Sequence, residues 1–391
     1  MDIKETINRF HLDVYNRFPI TLVKGRGATV WDREGREYID ALAGIAVNSL
    51  GHCHPKVVKA IQEQASQLMH ISNFYYSEPQ SRLVELLADI GNMDRVFLCN
   101  SGAEAMEACL KTARKFGQKY QKKGPLITVS NAFHGRTMAT ISMGMDKYAK
   151  GYDPLLSGFN EVPLNDVKAL EAAFDEDTLG VVLEPIQGSG GLHIASAEFM
   201  EKIQELCDKH EALFIVDEVQ TGMGRTGRMF GYDHFKVKPD IVAIAKAMGG
   251  GFPIGAMLCR QKVADVMHHG DHGSTYGGNP LACAASHAAI KALLEENLQQ
   301  EAQIKGEYLM DLLKDKFKHS DKVTDIRGKG LMVGVELSFN GRPVVERMLE
   351  NGVLSNCTHG NVMRLVPPLV ITEEELNNLA DVLEEAINTT Q

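Results

Sequence analysis

Short apolar runs alternate with amphipathic stretches through the middle of the chain, from about residue 55 to about residue 300. The runs that predict strands are "RVFLC", "PLITVS", "GVVLEP", "ALFIVD", "DIVAIA" and "GAMLC". Between some of them, "AEAMEACLKTARKF" and "AEFMEKIQELCDKH" place apolar residues at helical spacing. Near-continuous apolar strands with helices between them predict an α/β fold with a mainly parallel sheet covered on both faces.

The N-terminal segment has a different pattern. Apolar residues recur at helical spacing over residues 1–18, which favours a helix. The following "TVWDREGREYID" predicts two short strands joined by a turn from Asp32 to Gly35. We expect this hairpin to lie at the periphery of the fold.

Capping signals mark the ends of several helices. "PKVVKAIQEQASQLM" begins with a proline in its first turn, which is typical of a helix start. Ser77 and Gln80 form a possible capping box for a helix that has Gly91 beyond its end. A long alanine-rich helix follows "GGNP", and a capping box of Thr372 and Glu375 begins the last helix.

A second α/β unit, with strands "LMVGVEL" and "VMRLVPP", follows from about residue 300. The chain has no internal repeat, low-complexity segment or linker that would mark a sharp domain boundary. We predict a large domain over residues 55–300 and a small C-terminal domain over residues 301–391. The N-terminal helix and hairpin, residues 1–54, are expected to pack with the small domain.

Composition narrows the function classes. A net charge of −10 argues against a nucleic-acid partner bound through its phosphates. No apolar run approaches the roughly 18 residues that cross a bilayer, so no membrane partner is expected. The seven cysteines are scattered and odd in number, which favours reduced thiols. The first residues show no secretory signal, and we therefore expect a cytoplasmic enzyme.

Ligands of open α/β sheets collect at the carboxyl ends of the strands. The predicted strands are followed by "NSGAEA", "NAFHGR", "EPIQGSGG", "DEVQTGMGRTG" and "AKAMGGG", which are polar, charged or rich in glycine. In the first of these, Ser101 and Gly102 lie before a helix, where backbone amides and the helix dipole can bind a phosphate. An ordinary serine cap of the helix is the alternative.

Two charged residues end neighbouring strands. Asp217 follows "LFIV", and a cation beside it would keep its carboxylate ionised, although a helix or loop cap is also common at such a position. Lys246 lies between an apolar run and the glycines Gly249 to Gly251. A desolvated lysine has a lowered pKa and can form a Schiff base with an aldehyde. A phosphate cup, a carboxylate and such a lysine suit an aldehyde cofactor that carries a phosphate and a basic ring nitrogen.

Other motifs are weaker. The segment from Gly222 to Gly227 matches G-x-G-x-x-G and follows a strand, but no convincing helix opens on it and the next strand ends on Lys246 instead of an acid. A nicotinamide-dependent dehydrogenase is thus a competing hypothesis of little support. The histidines of "HCHP" and "HHGDHG" lack the spacing of a metal site, so no metal is expected.

The ordered set of motifs resembles the class III pyridoxal-phosphate aminotransferases over nearly the whole chain. The matching pieces are "YIDALAGIAVNSLGHCHP", "NSGAEAMEA", "NAFHGRT", "EPIQGSGG", "FIVDEVQTGMGRTG", "AKAMGGGFPIGA", "GSTYGGNPLAC", "RGKGLMVGVEL" and "MRLVPPL". The resemblance implies the aspartate-aminotransferase-like fold type I, in which the large domain binds pyridoxal 5'-phosphate. It also implies a homodimer with shared active sites.

The resemblance implies roles where motif residues match. Lys246 would be the Schiff-base lysine that moves a proton, and Asp217 would hold the ring nitrogen protonated. The phosphate would be bound by Ser101, Gly102 and Ala103, with Thr275 from the neighbouring subunit. Phe133 would stack on the ring, Val219 would press its other face, and Gln220 would contact its hydroxyl side. The substrate-binding residues would be Arg136, Glu184, Ser274 and Arg364.

Within the class, "FHGRT", "GSTYGGNPLA" and "MRLVPPL" are most similar to the members that act on N-acetylornithine. The expected reaction transfers the ω-amine of N-acetylornithine, or of a close N-acyl analogue, to 2-oxoglutarate. Ornithine, 4-aminobutyrate, N-succinylornithine, acyl-diaminopimelate and N-acyl-lysine stay open as donors, and Ser189 stands where the family often has an acid. A catalytically silent protein of the same fold is the remaining alternative.

Overall fold

A large central sheet organises residues 3–390, the range that this computed structural model describes. Met1 and Asp2 of the predicted N-terminal helix, and Gln391 of the predicted small domain, lie outside the described residues. Within residues 3–390, no helix has both the length and the apolar character needed to span a membrane.

The elements follow in chain order. The strands are β1 (Leu22–Arg26), β2 (Thr29–Asp32), β3 (Glu37–Asp40), β4 (Arg95–Cys99), β5 (Leu126–Val129), β6 (Phe159–Val162), β7 (Gly180–Leu183), β8 (Ile186–Gln187), β9 (His193–Ile194), β10 (Leu213–Asp217), β11 (Ile241–Ile244), β12 (Gly255–Cys259), β13 (Val323–Lys329), β14 (Met332–Leu337), β15 (Val353–Leu354), β16 (Asn356–Thr358) and β17 (Val362–Leu365). The α-helices are α1 (Ile3–Phe10), α2 (Ala43–Ala46), α3 (Pro55–Ala65), α4 (Glu78–Gly91), α5 (Gly102–Lys119), α6 (Met138–Ile141), α7 (Asp146–Ala149), α8 (Val167–Ala173), α9 (Ala197–Lys209), α10 (Gln261–Ala264), α11 (Pro280–Glu295), α12 (Leu298–Phe317), α13 (Arg342–Glu350) and α14 (Glu373–Thr389).

The central sheet of the described chain has the order β4-β12-β11-β10-β7-β5-β6. Strands β6, β5, β7, β10 and β11 pair in parallel, and only β12 runs antiparallel to its neighbours β11 and β4. The predicted α/β fold with a mainly parallel sheet is therefore confirmed. Strand β6 has no counterpart among the predicted strands, because it lies at the edge of the sheet, where two of its four residues are exposed.

Burial explains why the other strands are visible in the sequence. Every residue of β5, β7, β10, β11 and β12 is buried. Helix α5 covers the sheet with the buried side chains of residues such as Met106, Leu110 and Phe116. An apolar run is what a strand with both faces covered requires.

The described chain also forms two four-stranded sheets and the two-stranded sheet β8-β9. The order β1-β2-β3-β15 joins the N-terminal hairpin to the C-terminal part, since β15 pairs in parallel with β3 through Val353 and Ile39. The order β13-β14-β17-β16 forms the second unit. The division at residues 54 and 300 stays a prediction.

Some local predictions differ from the structure. Helix α1 ends at Phe10 and buries none of its residues, so no packed face continues the helical spacing to residue 18. Ser77 precedes α4 without a side-chain capping bond, so the predicted capping box is wrong, and the Gln80 side chain donates to Asn73 Oδ1 and to the Gly278 carbonyl. The capping box of Thr372 and Glu375 is confirmed.

Candidate active site

A cavity of about 370 Å³ opens at the carboxyl ends of β4, β5, β7, β10 and β11. The predicted residues that line it are Ser101, Gly102, Ala103, Phe133, Glu184, Asp217, Val219, Gln220 and Lys246. Arg136, Ser274, Thr275 and Arg364 are absent from its described lining. The structure therefore gathers most of the predicted cofactor site at one place and leaves four predicted residues around it.

Lys246 follows β11 at the base of the cavity. Its backbone has a φ of +46°, in the left-handed region that costs a non-glycine residue free energy and that is concentrated at functional sites. Gly250 and Gly251, with φ of +56° and +105°, then turn the chain away. Burial lowers the pKa of the Lys246 amine to about 8, although the carboxylates of Asp217 and Glu184 oppose this shift. The amine is therefore partly neutral near neutral pH.

Asp217 ends β10 and is 4% exposed. The Val219 backbone amide donates to its Oδ1 over 2.9 Å, and Nδ1 of the fully buried His134 side chain lies 2.7 Å from its Oδ2. Burial opposes protonation of His134, but the hydrogen bond and charge of Asp217 hold the His134 pKa above its usual value. His134 is a site residue without a predicted role, and its place inside "NAFHGRT" is the signal that points to it.

The N-terminus of α5 forms another part of the cavity lining. Ser101 Oγ accepts from the Glu104 backbone amide over 3.2 Å, so the serine does cap the helix. The first amides of a helix have no partner within it and can bind an anion. A Cβ on Gly102 would lie 2.7 Å from Val219 Cγ1, so only a glycine lets the loop after β10 approach this helix start.

Gln220 completes the cavity lining. Its Oε1 is buried and has no hydrogen-bond partner among the described residues, which is unusual for a polar atom and leaves an acceptor for a ligand. Gly188 packs against this amide so closely that a Cβ there would lie 2.1 Å from Oε1. The cavity has a suitable group for each part of pyridoxal phosphate. The start of α5 suits the phosphate, and the Asp217 carboxylate suits the ring nitrogen. The Lys246 amine, with its lowered pKa, suits the aldehyde, and the unsatisfied Gln220 acceptor suits the hydroxyl.

Glu184 lines the cavity, whereas Arg364 is absent from its lining. The Phe133 backbone amide donates to Glu184 Oε2 over 2.9 Å, and burial together with the charge of Asp217 raises the Glu184 pKa to about 7. Arg364 is 3% exposed and donates to Asn356 Oδ1 and to the Gly188 carbonyl. Burial lowers the Arg364 pKa to about 10, with Glu184 among the groups that oppose the shift. The two side chains form no ion pair within residues 3–390.

The other predicted residues lie further out. Arg136 is exposed and stacks on the ring of Tyr148 at 3.7 Å. Ser274 Oγ accepts from Asn100 Nδ2, next to the start of α5. Thr275 is exposed and lines a separate surface cleft together with Phe74, away from the cavity of its own chain.

The glycine motif and the histidine segments have structural partners. Arg225, inside the G-x-G-x-x-G match, is fully buried and donates to the carbonyls of Leu331 and Pro367 and to Ser49 Oγ. His52 pairs with Asp40 at 2.7 Å. Within the described range there is no group of three metal-ligating side chains that could hold an ion.

Comparisons with known proteins point to one family. The model of the family described as Aminotransferase class-III matches residues 13–387. An acetylornithine aminotransferase of Methanopyrus kandleri is 48% identical over 395 residues, covering 100% of both chains. A structure of the ornithine aminotransferase from Toxoplasma gondii, with pyridoxal phosphate at partial occupancy in its active site, superposes with a TM-score of 0.94 at 36% identity, covering 98% of this chain and 93% of that one. The structure of the acetylornithine aminotransferase of Elizabethkingia anophelis superposes with a TM-score of 0.88 at 34% identity, covering 99% of this chain and 98% of that one.

Proposed function

Because this chain belongs to the class III aminotransferases, which depend on pyridoxal phosphate, we propose that it transfers the ω-amine of N-acetylornithine to 2-oxoglutarate. The products are the corresponding semialdehyde and glutamate. The observation that carries the proposal is the cavity of about 370 Å³ that Lys246, Asp217 and the start of α5 share. The names of the acetylornithine aminotransferases that match the full chain support the choice of donor.

Each group around the cavity has a chemical task. When bound, pyridoxal phosphate supplies an aldehyde that exchanges amino groups and a ring that withdraws electrons from the substrate carbon. Lys246 would hold the cofactor through its amine and, once freed by the substrate amine, would accept and return a proton at the substrate carbon. Burial lowers the pKa of the free amine to about 8, which suits this task. Asp217, oriented by His134, would pair with the protonated ring nitrogen. The start of α5 at Gly102 binds the phosphate.

Glu184 lets one site accept two kinds of substrate in this proposal. Arg136 binds the carboxylate of the donor, whose reacting amine is remote from it, while Glu184 neutralises Arg364. Release of Arg364 then lets both arginines bind the two carboxylates of 2-oxoglutarate, a task that suits the planar guanidinium. The raised pKa of Glu184, about 7, supports this role, because a carboxyl group with such a pKa gains or loses its charge readily at working pH.

The glutamate switch has its own test. Glu184→Gln removes the charge and keeps an acceptor for the Phe133 amide. We expect the single-turnover rates of the two half-reactions, with N-acetylornithine and with glutamate, to change by different factors. An equal loss in both would contradict the switch.

A homodimer with shared sites is part of the proposal. Exposed aromatic side chains lie near Thr275, among them Phe74 and Tyr276, which are 91% and 61% exposed in the single chain. A patch of this kind favours association. Thr275, exposed beside Phe74, would then serve the phosphate site of the partner chain.

Ornithine is the second candidate donor. The likeness to ornithine aminotransferases, with TM-scores up to 0.95 among the structures compared, favours it specifically. The two donors differ only in the acyl group on the α-amine, so a few pocket residues decide between them. A cytoplasmic location belongs to the same proposal and is supported by the seven free cysteines.

A donor panel tests the function. Glutamate formed from 2-oxoglutarate is measured with N-acetylornithine, N-succinylornithine, ornithine, 4-aminobutyrate and N-acetyl-lysine. We expect N-acetylornithine to give the highest kcat/KM, and a higher value for any other donor would overturn the assignment. Lys246→Ala should abolish turnover and the lysine-linked absorbance, whereas the exposed Lys291→Ala should retain both.

A further inference from the structure

Arg136 has an unusual combination of features for a residue that binds substrate. Its side chain is exposed, and among the described residues it forms no ion pair and no side-chain hydrogen bond. All five of its N–H donors therefore face solvent or a ligand. A guanidinium that binds a carboxylate in a bidentate way must also be held in one plane, or its ordering weakens binding.

The contacts that Arg136 does make are with aromatic rings. Its Cζ lies 3.7 Å from the ring centroid of Tyr148 and 5.7 Å from that of Phe133. Stacking on an aromatic face orients a guanidinium without using any of its donors. The short distance to Tyr148 makes this ring the principal support, and Phe133 the weaker one.

Tyr148 is itself held in place from several sides. It lies on α7, whose backbone is tied to the loop after β5 because the Met145 amide donates to the Ala132 carbonyl over 3.1 Å. The ring meets Phe133 edge to face, with centroids 5.4 Å apart and planes at 77°. The side chain is half-buried.

The arrangement connects the cavity to Arg136. Phe133 lines the cavity, Gly135 lines it as well, and Arg136 follows directly. Lys147 also approaches the Tyr148 ring, at 4.8 Å, but it is exposed and the distance is longer. Tyr148 is thus the ring that contacts both Arg136 and Phe133.

We propose that Tyr148 is a positioning residue that fixes the guanidinium of Arg136 for substrate carboxylates by stacking beneath it. This inference rests on the proposed function, in which Arg136 binds the carboxylates of both the donor and 2-oxoglutarate. Tyr148 contributes through its ring face, so its hydroxyl is secondary. The consequence is a selectivity for amines that carry a carboxylate.

Three holoenzyme variants test the role. Tyr148→Leu removes the ring, Tyr148→Phe keeps it, and Tyr152→Leu removes an exposed tyrosine of the same segment as a control. Loss of a partly desolvated cation–π contact should raise KM about tenfold for both N-acetylornithine and 2-oxoglutarate in Tyr148→Leu. We expect kcat to change less than about threefold and Tyr148→Phe to recover most of the affinity.

Two further readouts separate positioning from a general structural role. Glutarate, a dicarboxylate that cannot react, should bind the Tyr148→Leu holoenzyme about tenfold more weakly by calorimetry. The single-turnover rate of the same variant with pentylamine, which has no carboxylate, should stay at the wild-type value. Adding Tyr148→Leu to Arg136→Ala should cause no further loss, since the two residues act as one unit.

The outcomes are distinguishable. Stacking predicts a change of about tenfold that is confined to ligands with a carboxylate. The inference would be overturned if the KM values and the glutarate affinity of Tyr148→Leu stayed within about twofold of the wild type. An equal loss in the single-turnover rate with pentylamine would also overturn it. Tyr148→Met makes the same test if the leucine variant does not fold. Absence of wild-type activity with N-acetylornithine would refute the proposed donor, while glutarate binding would still decide the role of Tyr148.

Discussion

The imidazole of His134 and the carboxylate of Asp217 form a buried pair, with Nδ1 donating to Oδ2 over 2.7 Å. Neither side chain is more than 4% exposed. The pair joins the loop after β5, which contains His134, to the end of β10, which is Asp217. This contact fixes the charge at the base of the cavity, and several properties of the protein depend on it.

Removal of His134 should destabilise the protein in a way that depends on pH. His134→Ala leaves Asp217 Oδ2 without its partner, which costs about 1 to 3 kcal/mol. Because the folded pKa of His134 is raised, its stabilisation is complete below the unfolded pKa of about 6.5 and is lost as pH rises through the folded pKa. The difference in unfolding free energy should therefore be larger at pH 6 than at pH 9.

Urea unfolding of the apoenzyme at the two pH values measures this difference. The exposed His319→Ala is the matched control and should change stability by less than about 0.5 kcal/mol. A His134→Ala penalty that is the same at both pH values, or larger at pH 9, would contradict the charged pair.

Glu184→Gln should stabilise the apoenzyme at alkaline pH. The folded pKa of about 7 exceeds the usual 4.5, so ionisation favours the unfolded chain and the penalty grows as pH rises from 4.5 to 7. Glutamine carries no such penalty. The variant should therefore be more stable than the wild type at pH 8.5, by at most about 3 kcal/mol, and nearly equal at pH 4.5.

Unfolding curves at these two pH values test the burial of Glu184. Glu201→Gln, on the exposed face of α9, is the control and should show no pH-dependent gain. Equal stability of wild type and Glu184→Gln at pH 8.5 would mean that the carboxylate is not buried as described.

Residues that end apolar strands are the part of the site that sequence could predict. Lys246 and Asp217 stand out because each interrupts a run that predicts a buried strand, and the structure brings both to one cavity. His134 and Tyr148 lie in irregular segments, where no periodicity marks a side chain as buried or stacked. Their partners, Asp217 and Arg136, are 83 and 12 positions away along the chain, and only the folded structure brings each pair together.

The misleading glycine motif also has a partner that only the folded structure brings close. Gly222 to Gly227 resembles a dinucleotide-binding loop because both need close backbone approach. Here the approach is to the turn between β13 and β14, where a Cβ on Gly330 would lie 2.5 Å from the Thr226 carbonyl carbon. The spacing of glycines indicates a close approach to the backbone, but it does not identify the group that approaches.

Gly102→Ala should weaken cofactor binding. The new Cβ would lie 2.7 Å from Val219 Cγ1, so the helix start or the valine must move. We expect the affinity of the apoenzyme for pyridoxal phosphate to fall about tenfold, as one displaced anion-binding contact would cause. Titration followed by absorbance measures the dissociation constant.

Val219→Ala supplies the control for this clash. Since it removes the atoms that the new Cβ meets, the double variant Gly102→Ala/Val219→Ala should bind the cofactor as well as Val219→Ala alone. Additive losses in the double variant would show that Gly102 matters for a reason other than its contact with Val219.

Arg225→Met should destabilise the contact between the loop after β10 and the C-terminal part of the chain. The guanidinium donates to Leu331 O over 2.9 Å and to Pro367 O over 2.6 Å. Burial lowers its pKa to about 9, although the charge of Asp40 opposes the shift, and it forms no ion pair with a carboxylate of residues 3–390. Methionine keeps the volume but leaves buried carbonyls without donors. Relief of the buried charge offsets part of this, so we expect a net loss of about 2 to 4 kcal/mol in unfolding free energy, measured by urea titration.

Arg228→Met is the matched control, since Arg228 lies three positions further on and is exposed. It should change stability by less than about 0.5 kcal/mol in the same urea titration. Equal effects of the two variants would contradict the structural role of Arg225.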